Sequence, residues 1–314
     1  MFKKALLIVT CLSAAVLAGP LNKQQIAAQA QWLIHGDVEG LMASKLGQRI
    51  QQEAAKPGAA QVLEGIKTIY GINPLTDIKS ITLYGSKVGA EEGVALIRAN
   101  VDREKLVNLL KLNPDYKEHK ADGLVIHEWV DPPKDDKPAQ TRFGAFQGSD
   151  MAVIASSQTL LRQALAVLEG KADSLAKSES PLAAAGPAGA FLTLRVGKLP
   201  QPPANKPEAA LLAQFAGAQA YLGEVEGKVF AEVAIATATP EAADNVRKMA
   251  EGGLAFLNLV MPAQGPAHPD IPPQFPALVR SAKVTMDGKT VKLSAAVTAE
   301  ELIAMLEWAE KHKK

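Results

Sequence analysis

One cysteine, Cys11, stands in a chain of 314 residues. It falls in an N-terminal stretch expected to be removed, so the mature chain has no disulfide, no thiol nucleophile and no thiolate metal site. Charge of either sign is also in no excess: 34 Lys and Arg face 33 Asp and Glu. Without a basic surplus to neutralise a phosphate backbone, nucleic acid is not expected as a partner. Aromatics are 5% of the chain, and Trp32, Trp129 and Trp308 are far apart, which argues against a sugar-stacking platform. Catalytic signatures are missing as well. There is no G-x-x-x-x-G-K-[ST], no G-x-G-x-x-G after a strand, no H-E-x-x-H and no G-x-S-x-G. No cofactor is called for, and the chain reads as non-enzymatic.

Long apolar runs are scarce too. MFKKALLIVTCLSAAVLAGP opens with Lys3 and Lys4, continues through an apolar run from Ala5 to Ala18 and ends in small residues, the three-part pattern of a secretory signal peptide. The run is shorter than the ~20 residues that cross a bilayer. Cleavage after Ala18 places Val16 and Ala18 where the peptidase reads small residues, and no membrane span remains afterwards. Lipid attachment at Cys11 fits poorly because bulky Thr10 precedes it. An exported chain without disulfides points to the bacterial periplasm or the extracellular space.

What is present is a globular composition, 47% hydrophobic and 21% charged. Pro, Gly and Ala concentrate in Leu182 to Gly189 (LAAAGPAG) and Met261 to Pro276. A polar loop, DPPKDDKP, spans Asp131 to Pro138. Proline fixes φ and lacks an amide donor, so these segments interrupt regular structure. The expected organisation is a signal peptide over 1–18, an N-terminal half over 19–181, a linker over 182–189 and a C-terminal half over 190–314.

In the first half, Gln31 to Val38 reads as a strand and Glu39 to Ala54 as a helix, with Leu41, Met42, Leu46 and Ile50 on one side. Ser80 to Tyr84 and Gly93 to Ala99 form a hairpin, and Asp102 caps the next helix. Leu124 to Val130, Thr141 to Gln147 and Met151 to Ala155 are strands, followed by a helix capped near Ser157. The second half repeats the order. Ala190 to Val196 is a strand, Pro207 to Ala216 a helix, and Gln219 to Glu226 with Lys228 to Thr237 a hairpin. Thr239-Pro240 opens a helix. Leu278 to Met286 and Thr290 to Val297 pair across Asp287-Gly288, and Thr298 caps a last helix carrying Leu302, Ile303, Leu306 and Trp308. The class is α+β: two similar halves, each an antiparallel sheet with helices packed on one face.

The most chemical-looking pair is His35 and Asp37 in W-L-I-H-G-D. On a strand they share a face about 7 Å apart. That spacing suits a ligand-binding pair, a metal site or an imidazole base. It equally suits two polar groups satisfied locally at a sheet end. His127 and Glu128 are neighbours on a strand and face opposite ways, so they cannot address one site. His268 and Asp270 repeat the H-x-D spacing in a proline-rich loop, while His119 and His312 stand among charges. Helices over Pro207 to Ala216 and Glu241 to Val260 are apolar enough to line a lipid cavity, or simply to build a core.

The run W-x-x-H-x-D-x-x-x-L-x-x-S-x-x-G, from Trp32 to Gly47, together with I-N-P-L-T-D-I-K-S-I-T-L-Y-G, from Ile72 to Gly85, resembles a family of exported bacterial proteins of unknown function. The resemblance implies export and an α+β build, and brings no activity or catalytic residue. The expected function is that of an exported, non-enzymatic cell-envelope binding or scaffold protein, with an unidentified protein or an apolar ligand as partner. One alternative is a periplasmic carrier of a lipid or other apolar ligand. Another is a metal-dependent or His/Asp hydrolase centred on His35 and Asp37.

Overall fold

The computed structural model describes residues 20–87, 92–121, 123–133, 138–197, 213–260 and 271–312. Among them, alternating apolar residues and turn signals produce twelve strands: β1 (Trp32–Asp37), β2 (Ile78–Gly85), β3 (Val94–Ala99), β4 (Lys117–Ala121), β5 (Leu124–Asp131), β6 (Gln140–Gln147), β7 (Met151–Ala155), β8 (Ala190–Val196), β9 (Phe215–Val225), β10 (Lys228–Thr237), β11 (Lys283–Asp287) and β12 (Thr290–Thr298). The α-helices described are α1 (Val38–Ala43), α2 (Lys45–Ala54), α3 (Pro57–Tyr70), α4 (Arg103–Leu110), α5 (Gln158–Leu168), α6 (Pro240–Val260), α7 (Phe275–Ser281) and α8 (Ala299–Lys311).

All twelve strands join one antiparallel sheet in the order β11-β12-β10-β9-β8-β1-β2-β3-β7-β6-β5-β4. The α+β class holds. The first strands of the two expected halves, β1 and β8, lie side by side at the centre, with Trp32 opposite Val196 and His35 opposite Thr193. Outward from that seam the order is first, second, third, last and last-but-one on both sides, with β5 and β4 added beyond the first. The segment read as a linker is fastened. Leu182 is buried, and Arg195 Nη1 donates to the carbonyls of Leu182 and Ala184, each at 2.6 Å.

Register assigns side chains to faces. His35 stands opposite Thr82, Thr82 opposite Leu96, and Leu96 opposite Val153, so these share one face with Leu33 and Asp37. On that face α5 buries Leu161, Ala164 and Leu165 against Leu33, Leu96 and Val153 to make the main core. The opposite face carries Ile34, Leu83, Ala95 and Ile154, again in register. There α6 packs Ala243 and Val246 on Val291, Ile235 and Val284, and α4 lies over the far end. Helices therefore cover both faces rather than the one expected, because the strands are apolar on both sides and each side needs cover.

Several local expectations are corrected. The single helix over Glu39 to Ala54 breaks at Ser44, whose backbone is extended at φ −79° and ψ 167°. Its hydroxyl accepts the Gly47 amide at 3.0 Å, capping α2. Helix α3 and strand β4 were not anticipated. Pro57 stands in the first turn of α3, and Gly71 ends it in the left-handed region at φ 70°. Strand β4, K-E-H-K-A, is a charged edge strand with little apolar alternation to reveal it. Leu278 to Ser281 are helical, and only Lys283–Asp287 forms the strand. Of the helix expected over Pro207 to Ala216, residues 207–212 lie outside the described residues, while Phe215 and Ala216 belong to β9. Also outside them lie the signal peptide over 1–18, residues 134–137 of the polar loop, and His268 and Asp270.

Candidate functional site

His35 and Asp37 are both buried, at 3% and 6% exposure. His35 Nδ1 stands 2.8 Å from Thr82 Oγ1 on β2. Asp37 is the N-cap of α1, its Oδ1 accepting the Gly40 amide at 2.8 Å. A Cβ at Gly40 would fall 2.5 Å from Asp37 Oδ2, so residue 40 is small because the cap needs the room. Ser44 and Gly47 repeat the device at α2, and a Cβ at Gly47 would lie 1.9 Å from the Leu41 carbonyl oxygen.

The other conspicuous sequence run is the partner strand. Gly85 faces Trp32, Thr82 faces His35 and Ser80 faces Asp37 across the β1–β2 pairing. A Cβ at Gly85 would sit 2.7 Å from Trp32 Nε1, and that indole N–H donates to the Lys87 carbonyl at 2.9 Å. The runs Trp32 to Gly47 and Ile72 to Gly85 thus interlock. Trp32, His35, Asp37, Ser44 and Gly47 each have a place in the pairing, a cap or a close approach. The cavities beside β1 and β2 have no His35, Asp37 or Thr82 in their walls. Among the described residues, no three His, Cys, Asp or Glu side chains group as metal ligands.

A different feature has the shape of a site. On the face opposite His35, the floor formed by β5, β6, β7, β3 and β2 is roofed by α4 and the Tyr70–Ile72 turn. Between them lies a half-open trough of about 450 Å³, within the size range of small-molecule sites. Its floor holds Ile78, Ile97, Ala99, Gly144, Ala152 and Ile154, and its roof holds Leu106, Leu109 and Leu110. Small residues on the floor leave the space. Gly144 also lets the Trp129 indole lie on the sheet, since a Cβ there would be 3.0 Å from the ring. Among the described residues, no charged side chain lines the trough.

Its polar groups are few. Trp129 Nε1 donates to Asp131 Oδ1 at 3.0 Å, and Asn113 donates to the Val130 carbonyl at 2.9 Å while accepting the Asp115 amide at 3.0 Å. His127 lines the trough from β5 at 5% exposure. Its Nδ1 is 2.8 Å from the Tyr116 hydroxyl, which also reaches Glu118 Oε2 at 3.3 Å. Tyr116 stacks on the imidazole and Phe146 meets it edge-on, each with centroids 6.0 Å apart. Burial pushes the His127 pKa down, Glu118 acts to raise it, and Lys111 adds to the lowering. The neutral imidazole is therefore the favoured form. Glu128, on the other face, accepts from His119 Nε2 at 2.7 Å and Lys117 Nζ at 3.1 Å.

Sequence reasoning set His127 aside because Glu128 could not join it. Its real neighbours, Tyr116 and the α4 roof, had no signal in the local pattern. Beyond the trough the same face continues as a row in register. Leu83, Ile34, Leu194, Ala220, Val233 and Leu293 lie opposite one another across β2, β1, β8, β9, β10 and β12. Ile34, Leu194, Val233 and Leu293 are exposed.

The fold and trough define an α+β protein built on a single antiparallel sheet. No family model matches the chain, and no curated protein matches it. Among solved structures, crystal forms III, IV and I of TP0453 align with TM-scores of 0.44, 0.43 and 0.42 at 10%, 9% and 12% identity. The alignments cover 90%, 91% and 93% of this chain and 96%, 96% and 98% of that one. At that level the likeness assigns neither a site nor a function.

Proposed function

We propose that this is an exported binding protein of the cell envelope whose ligand is apolar and sits in the trough under α4. The observation that carries the reading is the trough itself. Apolar surface left uncovered in a groove marks a binding site more often than chance packing, and here about 450 Å³ of half-open space lies against apolar walls with no charged side chain among the described residues. Export rests on the sequence of residues 1–20, and protein recovered from the envelope should begin at Gly19.

The test is titration of detergent-free protein with a fluorescent apolar naphthylamine, backed by native mass spectrometry for a carried ligand. Saturable binding is expected, and Ile154→Asp on the floor should remove it while circular dichroism shows the fold intact. Absence of saturable binding, or binding indifferent to Ile154→Asp, would overturn the reading.

A further inference from the structure

We propose that the trough selects a single-chain amphiphile with an uncharged hydroxyl head, the head hydrogen-bonding to Nε2 of His127 and the chain running across the sheet toward Ile78. The inference rests on the apolar-ligand reading and goes further by naming the ligand class.

The head group follows from what the walls leave unsatisfied. Trp129 and Asn113 have their polar atoms committed to Asp131, Val130 and Asp115, and Tyr70 is half exposed at the mouth. His127 uses Nδ1 on Tyr116, and its Nε2 has no hydrogen-bond partner among the described residues. That Nε2 is not among the fully buried unpaired side-chain atoms, so it is open to a ligand in a residue only 5% exposed and set among apolar walls, where a hydrogen-bond partner is favoured.

The Tyr116 hydroxyl has one proton and two acceptors within reach, His127 Nδ1 at 2.8 Å and Glu118 Oε2 at 3.3 Å. If the proton goes to Nδ1, then Nε2 carries a hydrogen and donates. If it goes to Glu118, then Nδ1 carries the hydrogen and Nε2 accepts. A hydroxyl satisfies either form, because it both donates and accepts. A carboxylate only accepts, and among the described residues no cation lines the trough, Lys111 and Arg103 acting on the His127 and Phe146 rings without being part of its walls, so an unpaired charge there is disfavoured.

The chain direction follows from the floor. From His127 on β5 the trough crosses β6, β7 and β3 to Ile78 on β2. Four inter-strand spacings make about 19 Å. That length suits an extended long alkyl chain better than a compact ring.

The experiment is displacement of the naphthylamine probe by dodecanol, methyl dodecanoate, dodecanoate and dodecane, on the wild type and on His127→Phe. Dodecanol should lose roughly three- to tenfold in affinity in the variant, the range expected for one hydrogen bond, while dodecane is unchanged. Dodecanoate should compete more weakly than dodecanol. Methyl dodecanoate, which only accepts, should respond to the variant only if Nε2 carries the proton, and so reports the tautomer. Equal losses for dodecanol and dodecane, or none for dodecanol, would overturn the assignment. Should His127→Phe fail to fold, nitrogen NMR of histidine-labelled wild type decides: the His127 Nε2 resonance should move with dodecanol and stay with dodecane. Resonances that respond alike to both would count against it. If no probe binds at all, the apolar-ligand reading itself has failed, whereas binding indifferent to His127 removes only the head-group assignment.

Discussion

Replacing Asp37 separates a helix cap from an active-site carboxylate. Its Oδ1 holds the Gly40 amide at 2.8 Å in a residue 6% exposed. Loss of an N-cap side chain costs about 1 kcal/mol, within a span of roughly 0.5–2. Burial puts Asp37→Ala toward the upper part of that span, since the orphaned amide cannot easily recruit water. Asn and Ser cap about as well as Asp, so Asp37→Asn and Asp37→Ser should stay within a few tenths of the wild type. For a chain of this size each kcal/mol moves Tm by about 2 °C, and urea midpoints resolve the ordering more cleanly than melting does. A carboxylate acting as metal ligand or base predicts something else: Asn and Ser should fail with Ala in any metal uptake or hydrolysis. If Asp37→Asn is as unstable as Asp37→Ala, the cap is not what the residue supplies.

Two more perturbations address other buried polar groups. Arg195 is 3% exposed, holds two carbonyls of the 182–189 segment, lies 5.5 Å over the Tyr221 ring and has no carboxylate partner among the described residues. Arg195→Met should lower stability by about 1–3 kcal/mol and open that segment to limited proteolysis; an unchanged urea midpoint and digestion pattern would contradict the tether. His127 has its pKa lowered from 6.5, chiefly by burial. Below about pH 6.5 the unfolded chain then binds a proton that the folded one resists, so this residue removes stability as pH falls, by at most about 1.4 kcal/mol per pH unit. Glu118 and Tyr116 from the β4 side and Lys111 at the end of α4 face the same ring and set the depth of the effect. His127→Phe should flatten the acid limb of the stability curve relative to wild type, and parallel curves would exclude the cause.

Local signals were the legible part of the fold. Asp102, Ser157, Thr239 and Thr298 each accept an amide three residues on, as their spacing suggests. Thr298 completes a capping box with Glu301. Glu226-Gly227 turns the β9–β10 hairpin with both residues at positive φ. Ambiguity arose where an apolar pair fits either period, as at Leu278 and Val279, which proved helical. The trough was not legible. Its walls come from segments distant in sequence, and the marks it leaves are small residues, Ala99, Gly144 and Ala152, on strands otherwise rich in branched side chains. His35 and Asp37 drew attention because their chemistry is visible in six residues, and His127 did not because Tyr116 reaches it from the loop ahead of the paired strand β4.

The same strand chemistry explains why a trough forms where it does. In L-V-I-H-E-W-V, Ile126 faces the core under α5 while His127 and Trp129 face the other side. The neighbouring β3 and β7 likewise divide Leu96 and Val153 from Ile97 and Ile154. Apolar side chains on both faces demand two covers. On the first face α5, with eleven residues, is about 16 Å long and buries four of them. On the second α4 has eight, about 12 Å, and none is fully buried. A floor about 19 Å wide exceeds that roof by more than a turn of helix. The Tyr70–Ile72 turn closes part of the difference and leaves the rest open. Extending the roof by helix-favouring substitutions after Leu110 would stabilise the protein if the trough is merely imperfect packing. If the trough holds a ligand, the same extension should reduce binding as it raises stability.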